Sequence, residues 1–133
     1  MKEVFADTFY FLALANPEDR AHARAKAAFE DSSGLLVTTA WVLTEVGNTL
    51  CRLSHRRKFL SLLALLRGNS AAITAPATHD LFERGLALYA ERPDKEWSVT
   101  DCISFVVMKQ RGIRDALTGD RHFEQAGFRA LLK

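Results

Sequence analysis

Short apolar runs alternate with longer amphipathic segments from one end of the chain to the other. Residues 4–6 form the first run, which stops at Asp7, and the Ala-rich segment over residues 18–30 favours a helix. Residues 35–39 form a second run, of the kind found in strands buried on both faces, and a helix is predicted to begin at Trp41. This alternation predicts a parallel sheet whose strands are joined by crossover helices.

The rest of the chain continues the alternation. One face of the helix after the second strand carries its apolar residues, which are Leu43, Val46, Leu50 and Leu53. The pattern predicts further helices over residues 59–66, 81–93, 98–112 and 121–126, and further strands over residues 71–74, 114–118 and 128–132. The resulting fold class is α/β, a three-layer α/β/α sandwich with a central parallel sheet of about five strands and the last strand at an edge.

Composition narrows the class of protein. A chain of 133 residues that is 48% hydrophobic predicts a single globular domain over residues 1–133. The formal net charge of +2 is too small to indicate a sequence-independent binder of polyanions. Its two cysteines lack metal-binding spacing, so a zinc ribbon and a disulfide scaffold are both disfavoured. Without a long apolar run or a basic leader, we expect a cytoplasmic protein that does not enter the membrane.

Four acidic residues are predicted to meet at one end of the sheet, where open parallel sheets bind their ligands. Asp7 directly follows the first strand, and Asp120 follows the fourth strand by two residues. Glu45 lies in the first turns of the helix after the second strand. Asp101 lies in the first turn of the helix that leads into the fourth strand, with Ser98 as its N-cap in a capping box.

Each of these acids also has an ordinary structural explanation. Asp101 and Asp120 can complement a helix dipole, and Asp7 can cap a short helix that begins at Thr8. Glu45 belongs to a polar stripe that a solvated helix face would explain. Capping alone does not require four acids at one sheet edge, so the joint arrangement favours a functional site.

A cluster of carboxylates predicts a divalent cation. Because like charges repel, clustered acids take up protons unless a cation compensates them. Carboxylate oxygens favour Mg²⁺ or Mn²⁺ over Zn²⁺. Four negative charges match two divalent ions, which can hold the attacking and leaving oxygens of a phosphoryl displacement. The matching reaction is metal-assisted hydrolysis of a phosphodiester.

The chain resembles the PIN-domain family of nucleases, in particular the VapC-type toxins of bacterial toxin–antitoxin pairs, over its whole length. The similar segments are VFADT at residues 4–8, LTEVGN at 43–48, SVTDCISF at 98–105 and LTGDRHF at 117–123. The resemblance implies four catalytic residues that bind Mg²⁺ or Mn²⁺, namely Asp7, Glu45, Asp101 and Asp120. It also implies three hydroxyls that support these ligands, those of Thr8, Ser98 and Thr118.

The resemblance further implies an activity and partners. The activity is endonucleolytic cutting of RNA that leaves a 5′-phosphate. The partners are an antitoxin whose tail lies over the active site, and a second copy of the toxin in a homodimer. Gly119 stands where the family pattern has a bulkier residue, which predicts a looser presentation of Asp120.

Three other features carry weaker signals. Arg52, Arg56, Arg57 and Lys58 could contact the RNA backbone, although a short basic turn is also an ordinary solvated loop. His122 is interpreted as packed or exposed rather than catalytic. The helices on either side of the basic turn carry more apolar residues than one sheet face needs, which predicts a groove for a partner helix. The apolar residues predicted to form this groove are Leu43, Val46, Leu50, Phe59, Leu62, Leu63 and Leu66.

Two other functions remain open at this point. One is a PIN-type nuclease that processes RNA without an antitoxin. The other is a receiver-like metal-binding module, which needs paired acids after the first strand and an Asp after a middle strand. Here Asp7 is single, and Thr74 is followed by Ala75 and Pro76. The sequence does not identify the RNA or the antitoxin.

Overall fold

The computed structural model describes residues 2–31 and 33–133, and within them it contains five strands and seven helices. The strands are β1 Glu3–Ala6, β2 Leu35–Thr39, β3 Ala72–Ala75, β4 Asp115–Leu117 and β5 Arg129–Ala130. The helices are α1 Thr8–Ala15, α2 His22–Glu30, α3 Ala40–Thr49, α4 Arg56–Arg67, α5 His79–Glu91, α6 Val99–Arg111 and α7 Arg121–Gln125. None of these helices is long and apolar enough to cross a membrane.

All five strands are parallel and lie in the order β3-β2-β1-β4-β5. This order confirms the predicted α/β sandwich around a five-stranded parallel sheet, with β5 at an edge. It contradicts the receiver-like alternative, because that fold has the order 2-1-3-4-5 and places its third strand beside its first. Here β1 is central, with β2 and β3 on one side of it and β4 and β5 on the other. Because the strand order changes direction beside β1, a ligand-binding crevice is expected beyond the carboxyl end of β1.

Four elements differ from the sequence prediction. Helix α1 is predicted only as a short helix that Asp7 could cap, because its residues are almost uniformly apolar and show no clear periodicity. Helix α3 ends at Thr49, so Leu53 is 92% exposed instead of lying on its buried face. Helix α4 begins at Arg56 rather than at residue 59. Strand β5 is shorter than predicted, since an edge strand pairs on one side only.

An aromatic group on the α6 side of the sheet fixes the elements that carry the acids. The ring of Phe105 in α6 packs edge-on against Trp97 and Phe123, with ring centroids 5.0 and 4.9 Å away. Phe128, just before β5, packs against the same ring at 5.6 Å. Because protein interiors are close-packed, this group sets the position of α7 relative to α6.

Candidate active site

The predicted acids lie around the carboxyl edge of the sheet. Asp7 follows β1, and Asp120 follows β4 as the N-cap of α7. Asp101 lies in the first turn of α6, and Glu45 lies half-buried in the second turn of α3. The charges of Asp101 and Glu45 both act on Asp7, and a single histidine contacts Asp101 and Asp120. The structure therefore brings Asp7, Asp101 and Asp120 together, and it places Glu45 near enough for its charge to act on Asp7.

Asp7 is the most deeply buried of the four, with 5% of its surface exposed. It occupies the N-cap position of α1 but makes no capping hydrogen bond, so the capping explanation does not account for its carboxylate. Burial raises the pKa of Asp7 to about 7, and the charges of Asp101 and Glu45 add to this effect. The hydrogen bond from Thr118 opposes it. Burial, more than the predicted charge repulsion, is thus the main reason why the ionised form of Asp7 is unfavourable in the native state.

Thr118 ties the ends of β1 and β4 together. Its buried Oγ1 donates a hydrogen bond to Oδ2 of Asp7 at 2.9 Å and accepts one from the backbone N–H of Asp120 at 3.0 Å. The first bond orients the carboxylate of Asp7, and the second holds the backbone that carries Asp120. Thr118 therefore lies at the position expected for a hydroxyl that supports the acids.

Asp101 is held by the predicted capping box. The Ser98 Oγ accepts a hydrogen bond from the Asp101 backbone N–H at 2.9 Å. The Ser98 backbone N–H donates to Oδ2 of Asp101 at 3.1 Å. The same Oδ2 also lies 3.1 Å from Nδ1 of His122. Two donors from two different elements thus meet on a single carboxylate oxygen.

The anchoring leaves acceptor atoms available. Oδ1 of Asp120 accepts a hydrogen bond from the backbone N–H of His122 at 2.9 Å. In the part of the chain that the structure describes, the second carboxylate oxygens of Asp101 and Asp120 have no hydrogen-bond donor. The Oγ1 of Thr8 is buried and likewise has no partner there. Oriented carboxylates with a free oxygen are suitable ligands for a hard divalent cation.

His122 is the site residue that the sequence interpretation missed. Its ring is 20% exposed, and its Nδ1 lies 3.1 Å from Asp101 and 3.5 Å from Asp120. One ligand-type atom from each of Asp101, Asp120 and His122 lies within 4.8 Å of the others. The Asp-x-His spacing at the start of a short helix, following a strand that ends at the site, is the signal that could have indicated it.

The predicted RNA-binding residues belong to the turn that leads into α4 and to the first turn of that helix. Arg52, Arg56, Arg57 and Lys58 are all exposed around the start of α4. Among the described residues, none of these four forms an ion pair or hydrogen bond with the acids. The guanidinium of Arg56 instead donates to the backbone carbonyl of Cys51 at 3.5 Å.

A groove of about 810 Å³ lies between α3, α4 and β3, as the apolar residues of the two helices predict. The residues predicted for it that do line it are Leu43, Leu50, Phe59, Leu63 and Leu66. Val46 and Leu62, predicted with them, are buried in the core instead. The ring of Phe59 packs so closely on Gly47 that a Cβ there would lie 2.9 Å from it.

Comparison with known proteins gives a consistent result. A family model described as PIN domain matches residues 4–129. The chain is 30% identical over 125 residues to the 23S rRNA-specific endonuclease VapC20 of Mycobacterium tuberculosis, covering 94% of this chain and 95% of that protein. The crystal structure of VapC20, described as a Sarcin-Ricin loop cleaving toxin, superposes with a TM-score of 0.84. FitAcB from Neisseria gonorrhoeae is 17% identical over 96% of each chain with a TM-score of 0.64, a likeness of fold alone.

Proposed function

Because the chain belongs to the PIN-domain family, we propose that it is a metal-dependent endoribonuclease and the toxin of a type II toxin–antitoxin pair. The observation that carries the proposal is the cluster of Asp7, Asp101 and Asp120 at the carboxyl edge, with Glu45 acting on it. Support comes from the relative VapC20, a 23S rRNA-specific endonuclease similar to this chain over nearly its whole length. The whole chain would act as one nuclease domain in the cytoplasm, which stays a prediction.

Mg²⁺ or Mn²⁺ would be held by the four acids. The donor set consists of carboxylate oxygens, which these ions prefer, and the raised pKa of Asp7 indicates a position that a cation would stabilise. When bound, such ions activate a water molecule and neutralise charge on the reacting phosphate.

The other site residues would prepare the acids for this task. Thr118 orients the Asp7 carboxylate, and the Ser98 backbone N–H orients that of Asp101. Thr8, whose buried hydroxyl lacks a partner among the described residues, is available to hydrogen-bond a bound water or phosphate oxygen. Hydrogen bonds of this kind hold ligands in the orientation that metal binding needs.

RNA would reach the site as its substrate. The exposed cations Arg52, Arg56, Arg57 and Lys58 are proposed to contact phosphates, because such contacts position a nucleic acid without reading its sequence. The first RNA to test is a sarcin–ricin loop, since the relative VapC20 cleaves that loop.

Two protein partners are proposed as well. The groove between α3 and α4 would take an apolar helix of a small antitoxin, and the tail of that antitoxin would cover the acids. A second copy of the chain would complete a homodimer. A nuclease that processes RNA without an antitoxin would use the same acids. A gene for a small DNA-binding protein directly upstream favours the toxin, and an isolated gene favours RNA processing.

The test is cleavage of a synthetic sarcin–ricin loop and of ribosomal RNA by the purified chain. We expect cleavage with Mg²⁺ or Mn²⁺, products with 5′-phosphates, and no cleavage in excess chelator. Asp7→Asn should lower the rate at least about 100-fold, because it removes a charged ligand. The matched control is Asp80→Asn, which changes an exposed acid on α5 and should cleave as wild type does. Cleavage in chelator, or by Asp7→Asn at the wild-type rate, would contradict the proposal.

A further inference from the structure

We propose that His122 is a positioning residue that holds Asp101 and Asp120 in the geometry in which both can bind the same divalent ion. This inference rests on the proposed function, because it concerns two of the proposed metal ligands. It assigns a role to a residue that belongs to neither the acidic set nor its supporting hydroxyls.

His122 contacts both acids through different parts of the same residue. Its backbone N–H donates to Oδ1 of Asp120 at 2.9 Å. Its ring Nδ1 lies 3.1 Å from Oδ2 of Asp101 and 3.5 Å from Oδ1 of Asp120. In both acids, the oxygen that His122 contacts is the one already anchored, and the opposite oxygen stays available. A residue arranged in this way orients two ligands without occupying their free oxygens.

The ring acts as a donor in this geometry. A carboxylate oxygen only accepts hydrogen bonds, so Nδ1 of His122 carries the hydrogen directed at Asp101. The same oxygen also accepts from the Ser98 backbone N–H. Two donors on one oxygen restrict rotation of the carboxylate and direct its other oxygen away from them. Direct ligation of a metal through Nδ1 would require this hydrogen bond to break.

The packing around His122 makes it a rigid support. The next residue, Phe123, is fully buried, and its ring meets Phe105 of α6 edge-on at 4.9 Å. On its other side the Phe123 ring lies 6.3 Å from Phe5 of β1. The short helix α7 is thereby held against α6 and the central strand. The fixed position of α7 therefore holds the His122 ring against Asp101 on α6.

The test measures Mn²⁺ binding to the purified full chain by titration calorimetry, beside cleavage of the same RNA over a range of Mn²⁺ concentrations. His122→Asn keeps an N–H donor at the position of Nδ1, His122→Gln moves the donor one bond further out, and His122→Ala removes it. His79→Ala is the matched control, because His79 is exposed on α5. Thermal unfolding in chelator shows which variants are folded.

We expect His122→Ala and His122→Gln to bind Mn²⁺ about 10- to 100-fold more weakly, the range typical of residues that orient metal ligands. Most of their lost cleavage should return at saturating Mn²⁺, and His122→Asn should recover most of the affinity. Wild-type affinity in His122→Ala would overturn the inference. A loss in His122→Asn as large as in His122→Ala would also overturn it, because the ring would then be a ligand or a packing element. If the wild type itself binds no Mn²⁺ and cuts no RNA, the proposed function fails first.

Discussion

At the scale of single residues, the burial of Asp7 couples the stability of the protein to pH. The raised pKa of about 7 means that native Asp7 still holds a proton at pH values where the unfolded chain, at 3.8, has lost it. Between these values the native state binds more protons than the unfolded state, so its stability falls as pH rises. Above pH 7 the full cost of the buried charge is present, about 4 kcal/mol for a shift of this size.

We therefore predict that Asp7→Asn is more stable than wild type in chelator at pH 8, by up to about 4 kcal/mol, and about equally stable near pH 4. The amide keeps an acceptor for Thr118 and carries no charge. Urea unfolding of both proteins at the two pH values measures the difference. Asp80→Asn should follow wild type throughout. If the difference in unfolding free energy between Asp7→Asn and wild type did not change with pH, the pKa of Asp7 in the native state would not be raised, and the prediction would be wrong.

At the scale of elements, the turn between β4 and α7 depends on the absence of a side chain at Gly119. A Cβ there would lie 2.6 Å from Cζ of Phe9 in α1. The ring of Phe9 therefore fills the space that a side chain at residue 119 would enter. Asp120 is held meanwhile by its backbone bond to Thr118 and by its own capping bond, so its predicted looseness finds no support in these contacts.

Gly119→Ala is predicted to lower the free energy of unfolding by about 1 to 3 kcal/mol, the usual cost of overpacking, and to weaken Mn²⁺ binding by shifting Asp120. Combining it with Phe9→Leu should return part of both losses, because the smaller side chain makes room for the new methyl group. Denaturant unfolding and Mn²⁺ titration of wild type, the two single variants and the double variant form a complete cycle. Additive losses would show that Phe9 and residue 119 do not compete for the same space.

At the scale of the whole molecule, metal binding and folding should be linked. Native packing gathers acids that are far apart in the unfolded chain, so we expect a divalent ion to bind the native state alone. At a hundredfold excess over its dissociation constant, the ion stabilises the protein by about 2.7 kcal/mol. For a domain of this size, that is a rise in melting temperature on the order of 5 to 15 °C.

The check is thermal unfolding at pH 8 with Mn²⁺ and with chelator. Wild type should show the full rise, and Asp7→Asn should start from a higher melting temperature and gain less. Glu45→Gln should also gain less, since the Glu45 charge acts on Asp7. Equal melting temperatures under all these conditions would mean that the acids do not form one metal site.

Several features of this protein follow from short stretches of sequence. The alternation of apolar runs and amphipathic segments predicted the parallel sheet, because strands covered on both faces are apolar throughout. The capping box was predictable, since Ser98 and Asp101 are three residues apart and meet within one helical turn. The placement of Asp7 and Asp120 at one edge of the sheet was predictable because each follows a strand, and parallel strands end at the same edge.

Other features could be decided only by the tertiary structure. Helix α1 is buried by its neighbours, so its uniformly apolar sequence carries no periodic signal. Leu53 lies beyond the end of α3, although its spacing continues the apolar face of that helix. The contact of His122 with Asp101 joins residues 21 positions apart, and that of Thr118 with Asp7 joins residues 111 positions apart.

The sequence by itself therefore determined the order of the elements and the acidic residues at their ends. The order depends on local periodicity, and the acids are identified by the position of a polar residue after an apolar run. Only the tertiary structure decided how deeply Asp7 is buried, which oxygen of each acid is anchored, and that His122 joins the site. Those properties depend on distances between residues that are remote in the chain, and such distances are set by the packing of α6 and α7 against the sheet.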